Sequence, residues 1–116
     1  MSAPSAQDLR DRYRPLLLAE SEALRVASAE TGADRRPVEL DQQSVGRLSR
    51  MDAMQQQAMA AAQEARRRAR TQAVAAALRR IDEGEFGWCA DCGDFIGSAR
   101  LDLDPTLMRC ISCARS

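Results

Sequence analysis

At 116 residues the chain holds one domain, or one long element with a small module attached. Its hydrophobic content of 45% is largely alanine and includes only four aromatic residues, which excludes a thick globular core because alanine buries little area. Seventeen acidic residues balance seventeen basic ones, all arginine, so bulk charge points to no nucleic-acid partner.

Residues 1–7 are small and polar and read as a frayed start. They lack the apolar stretch of a secretory signal. No apolar run approaches the roughly 18–20 residues that span a bilayer. The expectation is a cytoplasmic protein without a membrane partner.

A helix is predicted from about Asp8 to Glu30, with Leu9, Tyr13, Leu16, Leu17, Leu24 and Ala27 on one face. Pro15 removes a backbone donor and is expected to kink or restart it. Thr31 to Pro37 combines glycine, proline and charge, and breaks the pattern. A longer helix is predicted from about Asp41 to Glu83, its first turns loosened by Gly46. Ala58, Ala62, Ala65, Ala69 and Ala76 recur at helical spacings and suggest a seam of small residues facing the first helix. The seam fits equally a projecting coiled-coil hairpin and two ordinary packed helices of a dimeric bundle.

Charge is segregated along the chain. Residues 64–80 hold Arg66, Arg67, Arg68, Arg70, Arg79 and Arg80 against Glu64, a net of +5. Residues 81–104 hold Asp82, Glu83, Glu85, Asp91, Asp94, Asp102 and Asp104 against Arg100, a net of −6. Such runs form either a solvated helix face beside an acidic module or a basic stripe for phosphates or an acidic protein surface.

The last quarter carries two C-x-x-C pairs, Cys89 with Cys92 and Cys110 with Cys113. A two-residue spacer lets both thiolates of a pair reach one ion, and the 17 intervening residues let the second pair return to the first. The pattern predicts one structural Zn2+ per chain in a tetrahedral four-thiolate site. The absence of histidine excludes a mixed cysteine/histidine set. A module of about 30 residues, Gly84 to Ala114, is too short to bury its own core, so the metal is expected to supply its folding energy. Gly93 permits the left-handed turn behind Cys92, and Phe86, Trp88, Phe95, Ile96 and Leu101 can cluster beside the metal.

Ala77 to Gly93, with its run Gly84-Glu85-Phe86-Gly87-Trp88-Cys89-Ala90-Asp91-Cys92-Gly93, closely resembles the DksA/TraR family of C4-type zinc-finger transcription regulators. So do Ile96, Arg100-Leu101, Pro105 and Cys110-Ile111-Ser112-Cys113. The resemblance covers residues 77–113 and implies a mainly α fold. Residues 1–83 would form a two-helix antiparallel coiled-coil hairpin with its tip at about 31–49, and 84–116 a zinc-finger module.

The resemblance further implies a bacterial regulator that binds RNA polymerase directly, through its secondary channel, rather than a DNA sequence. Several members act with the alarmone ppGpp, and here Arg66 and Arg100 match basic positions of that region. The acidic tip motif of the best-known members falls on Gly46, Ser49 and Met51, so Asp41 and Asp52 are the candidate tip carboxylates. Asp104 stands where arginine is frequent, and Ala73 where some members have a ppGpp-contacting lysine. The chain ends three residues after Cys113 and resembles a short form of the family.

Other classes fit less well. A zinc ribbon that binds nucleic acid or another protein is suggested by Arg66 to Arg70, but phosphates would be repelled by the acidic module. A C-x-x-C oxidoreductase would need its motif at a helix start beside a sheet, and no strand–helix–strand pattern appears. With neither histidine nor lysine, general-base and Schiff-base sites are hard to build, so no enzyme is expected.

Overall fold

The computed structural model describes residues 4–32 and 47–115. It contains the helices α1 (Ala6–Glu30), α2 (Arg47–Glu83), α3 (Ser98–Leu103) and α4 (Ile111–Ala114). Among the described residues there is no extended strand, only an isolated antiparallel bridge between Trp88 and Phe95. The architecture is the mainly helical one expected, two long helices followed by a four-cysteine cluster. No described helix is long and apolar enough to cross a membrane.

The ends of α1 are set by local hydrogen bonds. The Asp8 N–H donates to Ser5 Oγ at 3.1 Å, and the Ser5 N–H donates back to Asp8 Oδ2 at 3.2 Å. This reciprocal cap starts the helix at Ala6, two residues before the predicted start at Asp8. At the other end both the amide and the hydroxyl of Thr31 donate to the Ala27 carbonyl, at 3.1 and 2.8 Å.

Contrary to the expected kink or restart, α1 is helical through Pro15. Tyr13 and Leu17, on either side, are both 0% exposed. Their burial holds the turn against the missing proline donor. The far end of α2 stops at Gly84, whose φ of 77° is a left-handed conformation suited to glycine. There the Glu85 and Phe86 amides donate to the Arg80 carbonyl at 2.8 and 3.2 Å.

The chain divides into two compact units, one formed by Met1–Glu22 with Thr71–Ser116 and the other by Ala23–Arg70. The first contains the apolar core: Leu9, Tyr13, Leu17, Val74, Ala77, Ile81, Phe86, Ile96 and Leu101 are all buried. Val74, Ala77 and Ile81 lie three and four apart on α2, as an inward helical stripe requires. In the same unit Arg14 reaches Asp82 at 3.1 Å.

The second unit is built differently. Its buried side chain, among the described residues, is Glu64, 6% exposed. Glu64 Oε2 accepts from Ser28 Oγ at 3.1 Å and from Arg67 Nη1 at 3.2 Å. Arg67 Nη1 also donates to Thr31 Oγ1 at 3.1 Å, and Arg68 pairs with Glu64 Oε1 at 3.7 Å. Two arginines of the basic run are thus engaged by one carboxylate that borders α1. A buried charge is tolerated when it is paired and hydrogen-bonded in this way.

The alanine seam is corrected. Ala58, Ala62, Ala65 and Ala69 are exposed, and Ala76 is half-buried. The inward positions of α2 are instead Ala53, Gln57, Ala60, Glu64, Arg67, Val74 and Ala77. Small-residue spacing cannot tell one face of an alanine-rich helix from another, and polar residues occupy the inner face in the second unit. Leu16, expected inward on α1, is 57% exposed for the same reason of phase, since Leu9, Tyr13 and Leu17 define the buried stripe.

The corrected phase predicts that Ala62→Leu and Ala69→Leu change stability by less than about 0.5 kcal/mol, as exposed substitutions do. Ala77→Leu, at a fully buried site, should cost about 1–3 kcal/mol by overpacking. Denaturant melts of the three variants check this.

Candidate metal centre

Each cysteine pair is held by its own backbone turn. The Gly93 N–H donates to the Cys89 carbonyl at 2.9 Å, and the Cys89 N–H donates to the Asp94 carbonyl at 2.8 Å. Gly93 has a φ of 80°, which closes this turn without a Cβ penalty. The second pair opens α4: the Ala114 N–H donates to the Cys110 carbonyl at 2.9 Å. The Ala90 N–H donates to the Met108 carbonyl at 2.8 Å and ties the first turn to the approach of the second.

The link between the pairs is shaped by Asp104. Its Oδ1 accepts from the Thr106 N–H at 3.0 Å and from the Thr106 hydroxyl at 2.7 Å, forming a turn around Pro105. Asp104 therefore builds the return of the chain towards the second cysteine pair.

These turns bring Cys89, Cys92, Cys110 and Cys113 together, with all four Sγ atoms within 4.8 Å of one another. Cys92 and Cys110 are 3.7 Å apart at sulfur, far longer than a disulfide, and all four are free cysteines. A tetrahedral ion with Zn–S bonds of about 2.3 Å needs sulfurs separated by about 3.8 Å. The donor set and its spacing fit one structural zinc, and with four thiolates no position is open for substrate.

The electrostatics agree. Backbone N–H groups of Cys110, then Cys92 and Asp91, pull the Cys89 thiol down to about 6. The neighbouring sulfurs of Cys110, Cys89 and Cys92 push Cys113 up. Four thiolates so close cannot all ionise without a cation among them. Bound zinc supplies that positive charge and cross-links the two turns.

The remainder of the unit packs onto this module. Tyr13 of α1 lies 5.3 Å from Phe86 between ring centroids, and Trp88 lies 5.5 Å from Phe95. A Cβ added at Gly87, where φ is 94°, would stand 3.0 Å from Leu9 Cδ1. A side chain at this left-handed position would be strained and would displace the tip of Leu9. The Tyr13 hydroxyl donates to Asp102 Oδ1 at 2.7 Å, and Arg12 Nη2 donates to Oδ2 at 2.7 Å. One carboxylate of α3 thus receives two consecutive residues of α1. Burial first, and then the bond to Asp102, raise the Tyr13 hydroxyl to about 12. Tyr13, followed by Arg12, holds Asp102 below its usual range.

Of the other sequence candidates, Asp52 is exposed on α2, in the second unit. Asp41 and most of the expected 31–49 tip lie outside the described residues. Arg66 is exposed in the second unit, whereas Arg100 is half-buried in the first. Arg100 Nη2 donates to the Arg109 carbonyl at 3.0 Å, just before the second cysteine pair. Its Nε is buried without a partner among the described residues. The Arg12–Tyr13–Asp102 clamp escaped sequence reasoning. Its one legible sign was Tyr13, spaced one helical turn from Leu9 and Leu17 with a polar tip that needs a partner when buried.

Comparison with known proteins gives the same picture. Residues 84–116 match the family described as the prokaryotic dksA/traR C4-type zinc finger. The chain is 42% identical over 40 residues to the RNA polymerase-binding transcription factor DksA of Haemophilus influenzae. That match takes in 34% of this chain and spans 28% of the relative's length. A wider likeness is to the solved structure of transcription factor DksA2 from Pseudomonas aeruginosa, with a TM-score of 0.76 and 27% identity. It covers 93% of this chain and 81% of that one.

Two predictions follow from the geometry of this unit. Purified under reducing conditions, the protein should carry one zinc per chain by elemental analysis. Chelation, Cys89→Ser or Cys113→Ser should unfold the module while much of the helical circular dichroism persists. Zinc retention should weaken as pH falls, because protons compete for the thiolates.

Tyr13→Phe keeps the ring but removes the hydrogen bond to Asp102, at a cost of about 1–2 kcal/mol for a bond to a partly exposed charge. The raised Tyr13 value also fixes a direction with pH. Its contribution is complete below about 10 and is lost as pH rises towards about 12. Melts across that alkaline range should fall for the wild type and fall less steeply for Tyr13→Phe.

Proposed function

We propose that this chain, whose residues 84–116 match the dksA/traR C4-type zinc finger, regulates bacterial transcription by binding RNA polymerase directly. In this reading the two-helix hairpin enters the secondary channel of the polymerase, and the zinc module with its clamped α1 holds the base of the hairpin. The role is regulatory rather than catalytic, and its setting is the cytoplasm. The observation that carries the proposal is the whole-chain likeness to DksA2, at a TM-score of 0.76 over 93% of the chain. The name of the Haemophilus influenzae relative supports polymerase as the partner.

A carboxylate near the hairpin tip would act on the surroundings of the polymerase catalytic magnesium, because hard oxygen ligands suit that ion. Asp41 and Asp52 are the residues we assign to this contact. Asp41 also stands where a helix-capping residue is expected, so its two roles must be separated. Arg66 and Arg100 are assigned to ppGpp on the same terms.

The test is binding of purified protein to bacterial RNA polymerase, with and without ppGpp, coupled to transcription from a stable-RNA promoter. Binding at micromolar protein or below is expected, and its absence would overturn the reading. Asp52→Asn and Asp41→Asn should retain binding but lose most of the transcriptional effect. Should Asp41→Asn regulate like wild type while Asp41→Ala is only less stable, Asp41 is a cap. Arg66→Ala should reduce the response to ppGpp without changing binding in its absence.

A further inference from the structure

Beside the zinc module, and within the same unit, lies a cleft of 480 Å³. Its walls include Arg80 from the last turn of α2, Glu85, Trp88, Cys89 and Met108. The volume lies in the range of small-molecule sites, about 300–1,000 Å³.

Arg80 is the unusual member. It is half-buried, yet it has no carboxylate partner among the described residues. Among the described residues its guanidinium makes one hydrogen bond, from Nη2 to the Thr106 carbonyl at 3.5 Å, at the outer limit of such a bond. Arginines withdrawn from water are ordinarily paired, and a guanidinium fork matches the two oxygens of a carboxylate. Burial, and then the neighbouring Arg79, work against the charged form of Arg80, so an anion in the cleft would relieve it.

The remaining walls select which anion. Trp88 offers an indole and Met108 a polarisable thioether, both suited to a flat or apolar body. Asp82, Glu83, Asp91 and Asp94 are exposed on the same unit, and Glu85 lines the rim. That acidic surround disfavours a polyanion and tolerates a single negative charge neutralised on contact.

We propose that this cleft binds a small monocarboxylic acid with a flat apolar body, its carboxylate on Arg80 and its body against Trp88 and Met108. Such a ligand would bind beside the first cysteine turn, since Cys89 forms part of the wall. The site is separate from the polymerase reading and stands or falls independently of it.

The experiment uses the full-length zinc-loaded protein. Trp88 is the chain's single tryptophan, so its emission reports on the cleft directly. The protein is titrated with 3-phenylpropionate, with its neutral counterpart 3-phenylpropanol, and with inorganic pyrophosphate. Ligand-observed NMR provides a second readout. Saturable binding of the acid in about the millimolar range is expected, as suits so small a ligand. The alcohol should bind at least about tenfold more weakly, the loss of one charge-assisted interaction. Arg80→Gln should weaken acid binding by a similar factor with zinc content unchanged, and Arg80→Lys should fall between.

Three results would overturn the proposal: no saturation by about 10 mM acid, equal binding of acid and alcohol, or tighter binding of pyrophosphate than of the acid. Since the acid–alcohol comparison is made on the wild type, it decides the matter even where Arg80→Gln disturbs the fold.

Discussion

Four sulfurs within 4.8 Å of one another set the terms for everything around them. Brought together as thiolates they repel, and only a cation at their centre makes the arrangement favourable. The segment that carries them is too short to enclose a core, so two C-x-x-C turns, an Asp104 turn and the glycines at 84, 87 and 93 are organised around that ion. Without the cross-link, Phe86, Ile96 and Leu101 would have no surface to form and α1 no platform to meet.

The second constraint is how α1 meets that platform. Leu9 and Tyr13 supply apolar contact, and the absence of a side chain at Gly87 lets Leu9 come close. Asp102 then receives both the Tyr13 hydroxyl and the Arg12 guanidinium. Hydrophobic contact is non-directional, whereas two hydrogen bonds to one carboxylate fix a register. The start of the chain is thereby held against its last third, across about 90 residues of sequence, a span that ordinary helical contacts do not bridge.

The two units divide the work by chemistry. The first buries leucine, valine, isoleucine and aromatic side chains. The second buries a carboxylate, with serine, threonine and arginine around it. Polar inner positions cost stability relative to well-packed apolar ones, and they specify pairing more sharply. The same network engages Arg67 and Arg68, so part of the basic run that looks like a phosphate stripe in one dimension is neutralised by Glu64 in three.

The cysteine cluster, the two long helices and the likeness of the last third to the dksA/traR zinc finger were legible in the residues, because each rests on short-range spacing or on an ordered run of side chains. Cysteine pairs declare a shared ion through spacing alone, and helices declare themselves through propensity and period. The inward face of α2 was not legible. In a helix with alanine on every side, spacing fits several faces equally, and only contact with α1 selects Glu64, Val74, Ala77 and Ile81. The unbroken passage through Pro15, the clamp on Asp102 and the cleft at Arg80 share that origin. The clamp and the cleft join residues distant in sequence, and the passage through Pro15 rests on the burial of Tyr13 and Leu17, so all three exist only once tertiary packing has formed.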